Sequence, residues 1–292
     1  MSEAMSADPE VADFVERAAA PGTTAYLPIL FAAATHREHL GVVFALRGEI
    51  GRSLAADLAP EVASTRLSWW GEEAGRIVAG QPRHPLSRHL ANAVGISALA
   101  DARTVGLLLA ELVGATQASL AEPVPANWSA LIHRMTHDWG ALCRLMTRLL
   151  ATPDQAEAPW VDPWANALGT ACAIDEALAS PDTPTLPALS PYLASEDDEE
   201  KRRAAWRTHA LTALGTATST LPACARAEQR PLLVLASLVH RRITRAPTPP
   251  GDRYLARSLG DLWCAWRGAQ RAARGDLPSH LACSATVDSP HE

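Results

Sequence analysis

The sequence predicts an all-α protein built as a single helical bundle. Apolar residues recur at three- and four-residue intervals nearly throughout, with Ala and Leu dominant; this is the repeat of helices that bury one face. The alternating Val, Ile and Thr runs of half-buried strands are almost absent. At roughly 100–200 residues per domain, the 292 residues would fit one large domain or two small ones. No internal repeat divides them, so one domain is expected.

In chain order, helices are expected near 9–19, 24–34, 36–57, 60–79, 85–100, 102–121, 127–151, 161–179, 199–219, 226–246 and 251–273. Pro21-Gly22 in "AAAPGTT" stops the first. Pro85 in "HPLSRHL" stands in a first helical turn, where its missing N–H costs nothing. "SPDTPTLPALSP" at 180–191 holds four prolines and reads as a loop across the bundle. In "SEDDEEKRRAAW", Ser195 is a candidate N-cap, and the acidic run behind it suits the positive end of a helix dipole. "RAPTPPGD" at 245–252 is a linker. The division is an N-terminal segment, partly helical, over 1–20, the main helical domain over 21–274 and a disordered tail over 275–292.

Composition excludes several classes. The net charge is −6 and the pI near 5.9, whereas a nucleic-acid binder would carry a basic stripe. Of the 26 basic residues only Lys201 is lysine, which reflects coding bias more than function. The five cysteines, Cys143, Cys172, Cys224, Cys264 and Cys283, are scattered, with no CxxC pair. They read as buried free thiols in a reducing, cytosolic compartment. No signal peptide is visible, since the first 15 residues are acidic and polar. The longest apolar stretch, "VGLLLAELVGA" at 105–115, is interrupted by Glu111, so no transmembrane segment is expected. Peripheral contact at the inner membrane stays open.

Four charged or aromatic groupings stand out. "FALRGEIGRSL" at 44–54 sets Arg47, Glu49 and Arg52 into a helix that otherwise points inward. "RLSWWGEEAGRI" places Arg66, Trp70 and Glu73 at i, i+4 and i+7 on one face. That face is either core, with an Arg stem on an indole, or the wall of a ligand cavity. Glu72 and Arg76 form an i,i+4 pair that should be exposed. His133 and His137, and the pair His36 and His39, have spacings a metal could use, but the Glu of HExxH is missing and they read as surface histidines. "HRRITR" at 240–245 reads as the cationic end of a helix. GxSxG, P-loop, GxGxxG and zinc-ribbon patterns are absent.

The order of the segments carries more than any one of them. "YLPILFAAATHREHLGVVFALRGEI" is followed by "RLSWWGEEAGRIVAGQPRHPLSRHL", then "HDWGALCRLMTRLL" and "ALGTACAIDEAL". This succession resembles the squalene/phytoene synthase family of head-to-head prenyl transferases over roughly 20–270, most tellingly at Arg66, Trp70, Gly80, Pro82, His84 and Pro85. The resemblance implies an isoprenoid-synthase fold: an all-α bundle around a central apolar cavity. It also implies two aspartate-rich motifs that hold Mg²⁺. The positions of the first fall on Gly51, Arg52 and Ala55, none acidic. In the second, Glu176 takes the Asn place and Ser180 the first Asp place. Asp175, Glu176 and Asp182 remain nearby as weak acidic candidates.

Phe44-Ala45-Leu46-Arg47 and Glu49-Ile50 also resemble a divergent branch of the family, related to a mitochondrial assembly factor of respiratory complex I, in which the aspartates are lost. Arg47, Glu49 and Arg52 then replace a metal site, or else form an ordinary helix surface whose charges pair with neighbours. The expected protein is a non-catalytic binder of a prenyl diphosphate, another isoprenoid or a protein partner, with no cofactor. The alternatives are an active Mg²⁺-dependent transferase using Asp175, Glu176 and Asp182, and a helical interaction module with a collapsed cavity.

Overall fold

The structure is a computed structural model and describes residues 9–55, 57–97, 101–122, 128–179, 199–245 and 254–284. Every regular element among the described residues is helical. The helices are α1 (Pro9–Ala18), α2 (Tyr26–Leu30), α3 (Ala34–Gly51), α4 (Pro60–Val78), α5 (Pro85–Ser97), α6 (Ala102–Ala121) and α7 (Trp128–Met135). They continue as α8 (Ala141–Leu150), α9 (Val161–Ala179), α10 (Glu199–Thr220), α11 (Arg230–Thr244), α12 (Tyr254–Ala272) and α13 (Ser279–Ser284). Short 3₁₀ turns occupy Arg52–Leu54 and Ala223–Ala225.

Helix starts follow local chemistry. Pro60 opens α4 at the first helical position, with Glu61 in the first turn. The Asp101 side chain accepts the Thr104 N–H at 2.6 Å and caps α6. α4 ends in a Schellman turn, with Gly80 at φ +70° and Gln81 N–H donating to Arg76 O at 2.8 Å.

Burial decides the layers. In α8 every residue but Arg144 is buried, and α11 is buried continuously from Pro231 to Val239. A helix apolar all round belongs inside. α8, α9 and α11 form the centre, α3 and α6 pack on α8, and α10 packs on α9. α4 runs along α6 and meets the end of α3 through 52–54. α12 lies outside, on α11 and α2. α6 is long and apolar enough by composition to cross a membrane; here it buries Val105, Leu108, Leu109 and Leu112 in the bundle.

Three expectations change. The helix expected over 127–151 is broken by a π turn at Thr136–Gly140. The tail expected to be disordered from 275 carries α13, whose Leu281 is fully buried and anchors it to the core. Cys143 and Cys172 are buried as expected, but Cys224 is exposed and Cys264 half-buried. The Cys283 side chain, the 180–191 loop, Ser195 and the linker from 246 lie outside the described residues.

Candidate functional site

Arg47 lies on the inner side of α3, between the flanking core residues Val43, Leu46 and Ile50. Its guanidinium reaches two carboxylates on other elements. Nε and Nη2 donate to Asp138 Oδ1 and Oδ2 at 3.2 and 3.1 Å. Nη1 and Nη2 donate to Glu176 Oε1 and Oε2 at 3.2 and 2.7 Å. One planar fork therefore makes two bidentate pairs, a geometry that lysine cannot reproduce. The guanidinium carbon also stands 4.2 Å from the Trp139 ring centroid, and Trp139 Nε1 donates to Glu176 Oε2 at 2.7 Å. Phe44 meets the same indole edge-on at 6.5 Å.

The π turn makes this possible. Its wider coil aims the consecutive residues Asp138 and Trp139 at Arg47, and such turns gather at functional sites. A close backbone approach seats the turn on α9: a Cβ added to Gly169 would lie 2.5 Å from Gly140 Cα. Only glycine leaves room there.

Electrostatics follow from the contacts. Burial alone would pull the Arg47 pKa down, but Asp138 and Glu176 more than offset it and hold it above the ordinary arginine value. Burial pushes Glu176 up, and Arg47 with the Trp139 N–H brings it net below the usual carboxylate range. One guanidinium thus pairs with two carboxylates, and the cluster keeps a net negative charge.

The cluster forms one wall of a cavity of about 130 Å³, lined also by Gly48, Gly51, Leu112, Leu131 and Arg134. Pockets that enclose a drug-sized ligand measure roughly 300–1,000 Å³, so the space admits a fragment of a prenyl chain. The acidic groups on its wall are Asp138 and Glu176, both engaged by Arg47. Among the described residues no group of three or more His, Cys, Asp or Glu is placed to hold a metal. Gly51 contributes no side-chain ligand, Arg52 turns to Glu49, and Ala55 is exposed. These residues do not fit a Mg²⁺ cradle, which needs oxygen ligands in near-octahedral arrangement.

The other expected site residues fall elsewhere. Glu49 projects from the opposite side of α3 and pairs with Arg52 at 2.9 Å and Arg17 at 4.0 Å. The three charges of "FALRGEIGRSL" thus serve two separate clusters. Asp175 faces away from the cavity and accepts from Arg242 Nε at 2.7 Å. Asp182 and Ser180 lie outside the described residues.

Trp70 and Glu73 are core rather than cavity wall. Trp70 packs on the His84 ring at 4.8 Å and on Trp69 at 5.1 Å. The Glu73 carboxylate, fully buried, accepts the backbone N–H groups of Arg83 and His84 at 2.7 and 2.8 Å. Burial pushes its pKa up, while those two donors and Arg76 bring it net below the usual range. The Gly80–Pro85 segment is therefore a clamp that fixes the start of α5. Arg66 is half-buried and outside this clamp. On α4 itself it is Arg76, not Arg66, that stands over an indole, 5.7 Å from Trp69. Arg76 also pairs with Glu72 at 2.6 Å, the pair expected from spacing, with Glu72 exposed but Arg76 half-buried.

Two partners escaped the sequence reading. Asp138 directly follows His137, one of a histidine pair whose rings simply pack on each other at 4.0 Å, and carries no signal of its own. Arg242, read as a helix end, is a buried-pair partner; the signal was an arginine following the apolar run of α11.

A family model described as squalene/phytoene synthase matches residues 18–178, a span that contains Arg47, Asp138 and Glu176. Among solved structures, the squalene synthase HpnC from Alicyclobacillus acidocaldarius matches with a TM-score of 0.50 and 17% identity, covering 92% of this chain and 97% of that one. The fold is the all-α isoprenoid-synthase fold that the two share. No curated protein matches the chain.

Proposed function

Since the chain belongs to the squalene/phytoene synthase family, we propose that it retains the family's fold without prenyl transfer and acts by binding an isoprenoid ligand or a protein partner. The observation that carries this reading is the Arg47 clamp on Asp138 and Glu176. Ionising a prenyl diphosphate requires neutralising a polyanionic leaving group, which divalent cations do when oxygen ligands hold them. Here the two carboxylates that face the cavity are committed to a guanidinium. An arginine can contact a phosphate directly but cannot hold a metal.

The apolar part of the cavity, with Leu112 and Leu131, suits a short isoprenoid segment. The resemblance of Phe44–Arg47 and Glu49-Ile50 to the assembly-factor branch supports a partner-binding role. The second reading, an active transferase, is favoured by one observation: Asp138 and Glu176 do stand on separate elements facing one cavity. It requires Arg47 to swing aside.

The experiment is to incubate the purified protein with labelled farnesyl or geranylgeranyl diphosphate and Mg²⁺ or Mn²⁺. The expected result is neither released pyrophosphate nor an apolar product. Turnover abolished by Asp138→Asn or Glu176→Gln would establish the second reading instead.

A further inference from the structure

α12 is turned inside out relative to an ordinary surface helix. Its buried face is small, with Ala265, Ala269 and Ala272 against the bundle. Its bulky residues point outward: Leu259 is 65% exposed, Leu262 41%, Trp263 59% and Trp266 44%. Their spacing is i, i+3, i+4 and i+7, a single stripe. Trp263 and Trp266 stack on each other at 5.0 Å, with their planes 26° apart. A contiguous exposed apolar stripe of this kind marks an interaction surface.

Basic residues border the stripe. A cavity of about 170 Å³ opens beside Trp263, lined by Arg241, Arg267, Arg271, Ser279 and His280. Arg245 stands beside Gly260 on the same side. Asp261 is engaged by Arg241 at 2.8 Å. Burial, with the neighbouring His240 and the positive charge of Arg267, Arg271 and Arg241, holds His280 down to about 4. This patch is therefore electropositive on a chain whose net charge is −6.

We propose that the outer face of α12 docks on an anionic phospholipid membrane, with Leu259, Leu262, Trp263 and Trp266 entering the interface and headgroup phosphates received by Arg267 and Arg271. Indole rings settle at the headgroup level, where an apolar body and a polar N–H are both satisfied. Guanidinium groups match phosphate oxygens bidentately. A tryptophan- and leucine-bearing face flanked by arginine is the arrangement by which helices lie in a membrane surface. Charge complementarity selects the lipid surface over a second copy of this chain, which would oppose arginine to arginine across the contact.

The test is co-sedimentation of the full chain with vesicles of phosphatidylcholine alone and of phosphatidylcholine mixed with phosphatidylglycerol. Binding is expected to the mixed vesicles and to be weakened by added salt. The double variants Trp263→Ser/Trp266→Ser and Arg267→Gln/Arg271→Gln should each lower it by about tenfold or more. Trp263, Trp266 and Arg267 are exposed, while Arg271 is half-buried and donates to Leu277 O at 3.4 Å, so circular dichroism and the single variant Arg267→Gln separate lost lipid contact from lost structure. Leu107→Ser, which removes an exposed leucine of α6 (53% exposed), should leave binding unchanged. Absence of binding to the mixed vesicles would overturn the proposal, as would binding that survives both double variants. A dimer dispersed by the tryptophan variant, without vesicle binding, would also overturn it and assign the face to a second copy.

Discussion

Arg47 and Glu176 face each other from α3 and α9, Nη2 lying 2.7 Å from Oε2, and the same carboxylate oxygen accepts the Trp139 indole N–H. Removing the guanidinium strands two carboxylates around one indole. For a fully buried pair, breaking it in this way destabilises by about 3–5 kcal/mol. Asp138 and Glu176 keep 28% and 37% side-chain exposure, so Arg47→Met should destabilise by roughly 2–3 kcal/mol, between the buried and exposed cases. The triple variant Arg47→Met/Asp138→Asn/Glu176→Gln should regain part of this, because the stranded charges are gone. Urea titration of both variants measures the difference.

Gly169 and Gly140 touch through their backbones, and the π turn depends on that approach. Gly169→Ala forces a methyl into backbone with no flexible side chain to yield. A loss of about 1–3 kcal/mol is expected, and calorimetric melting reads it. The same substitution at Gly71, where an added Cβ meets nothing within 4 Å, should leave the melting temperature unchanged or raised.

The clamp around Trp70 is a stability element. Trp70 is 4% exposed and packs on His84, so Trp70→Ala should cost about 3–5 kcal/mol, as other buried aromatics do. Glu73→Ala should leave the Arg83 and His84 N–H groups without an acceptor and cost about 1–3 kcal/mol. Chemical denaturation monitored at 222 nm checks both.

Acidification should destabilise the protein from near neutrality downward. His280 is held at about 4 against an ordinary 6.5, and burial lowers His36, His39, His84 and His240 in the same direction. Between those values the unfolded chain binds more protons than the native one, so stability falls as pH drops below 6.5. Glu73 and Glu176, lowered from 4.5, contribute stability that is present above that value and lost as pH falls through their native values. The urea midpoint should decline steadily from pH 7 to pH 5, and His280→Gln should flatten that decline.

The helices were largely legible in the sequence. α4, α6 and α9 start and end within a residue of their expected limits, because periodic apolar runs there meet Pro60 and Asp101 at their starts. The inward phase of Trp70 was legible too, but the choice between core and cavity wall was not. The Arg47 cluster was not. Its partners stand 91 and 129 positions away, and a π turn has no side-chain signature that would show Asp138 and Trp139 sharing one target. Grouping Arg47 with Glu49 overlooked helix geometry, since residues two apart point to nearly opposite sides. Asp175 and Glu176 part for the same kind of reason: one step rotates by about 100°, sending Asp175 to Arg242 and Glu176 to the cavity. α13 has only six residues, too few for a periodic pattern to register.

The central claim is that a guanidinium, not a metal, holds Asp138 and Glu176 together. The most direct measurement is Mn²⁺ titration followed by electron paramagnetic resonance, with and without inorganic pyrophosphate. The account predicts that the free Mn²⁺ signal of the unaltered protein matches that of a protein-free control at each pyrophosphate concentration. Stoichiometric Mn²⁺ uptake by the protein, lost in Asp138→Asn and Glu176→Gln, would contradict it.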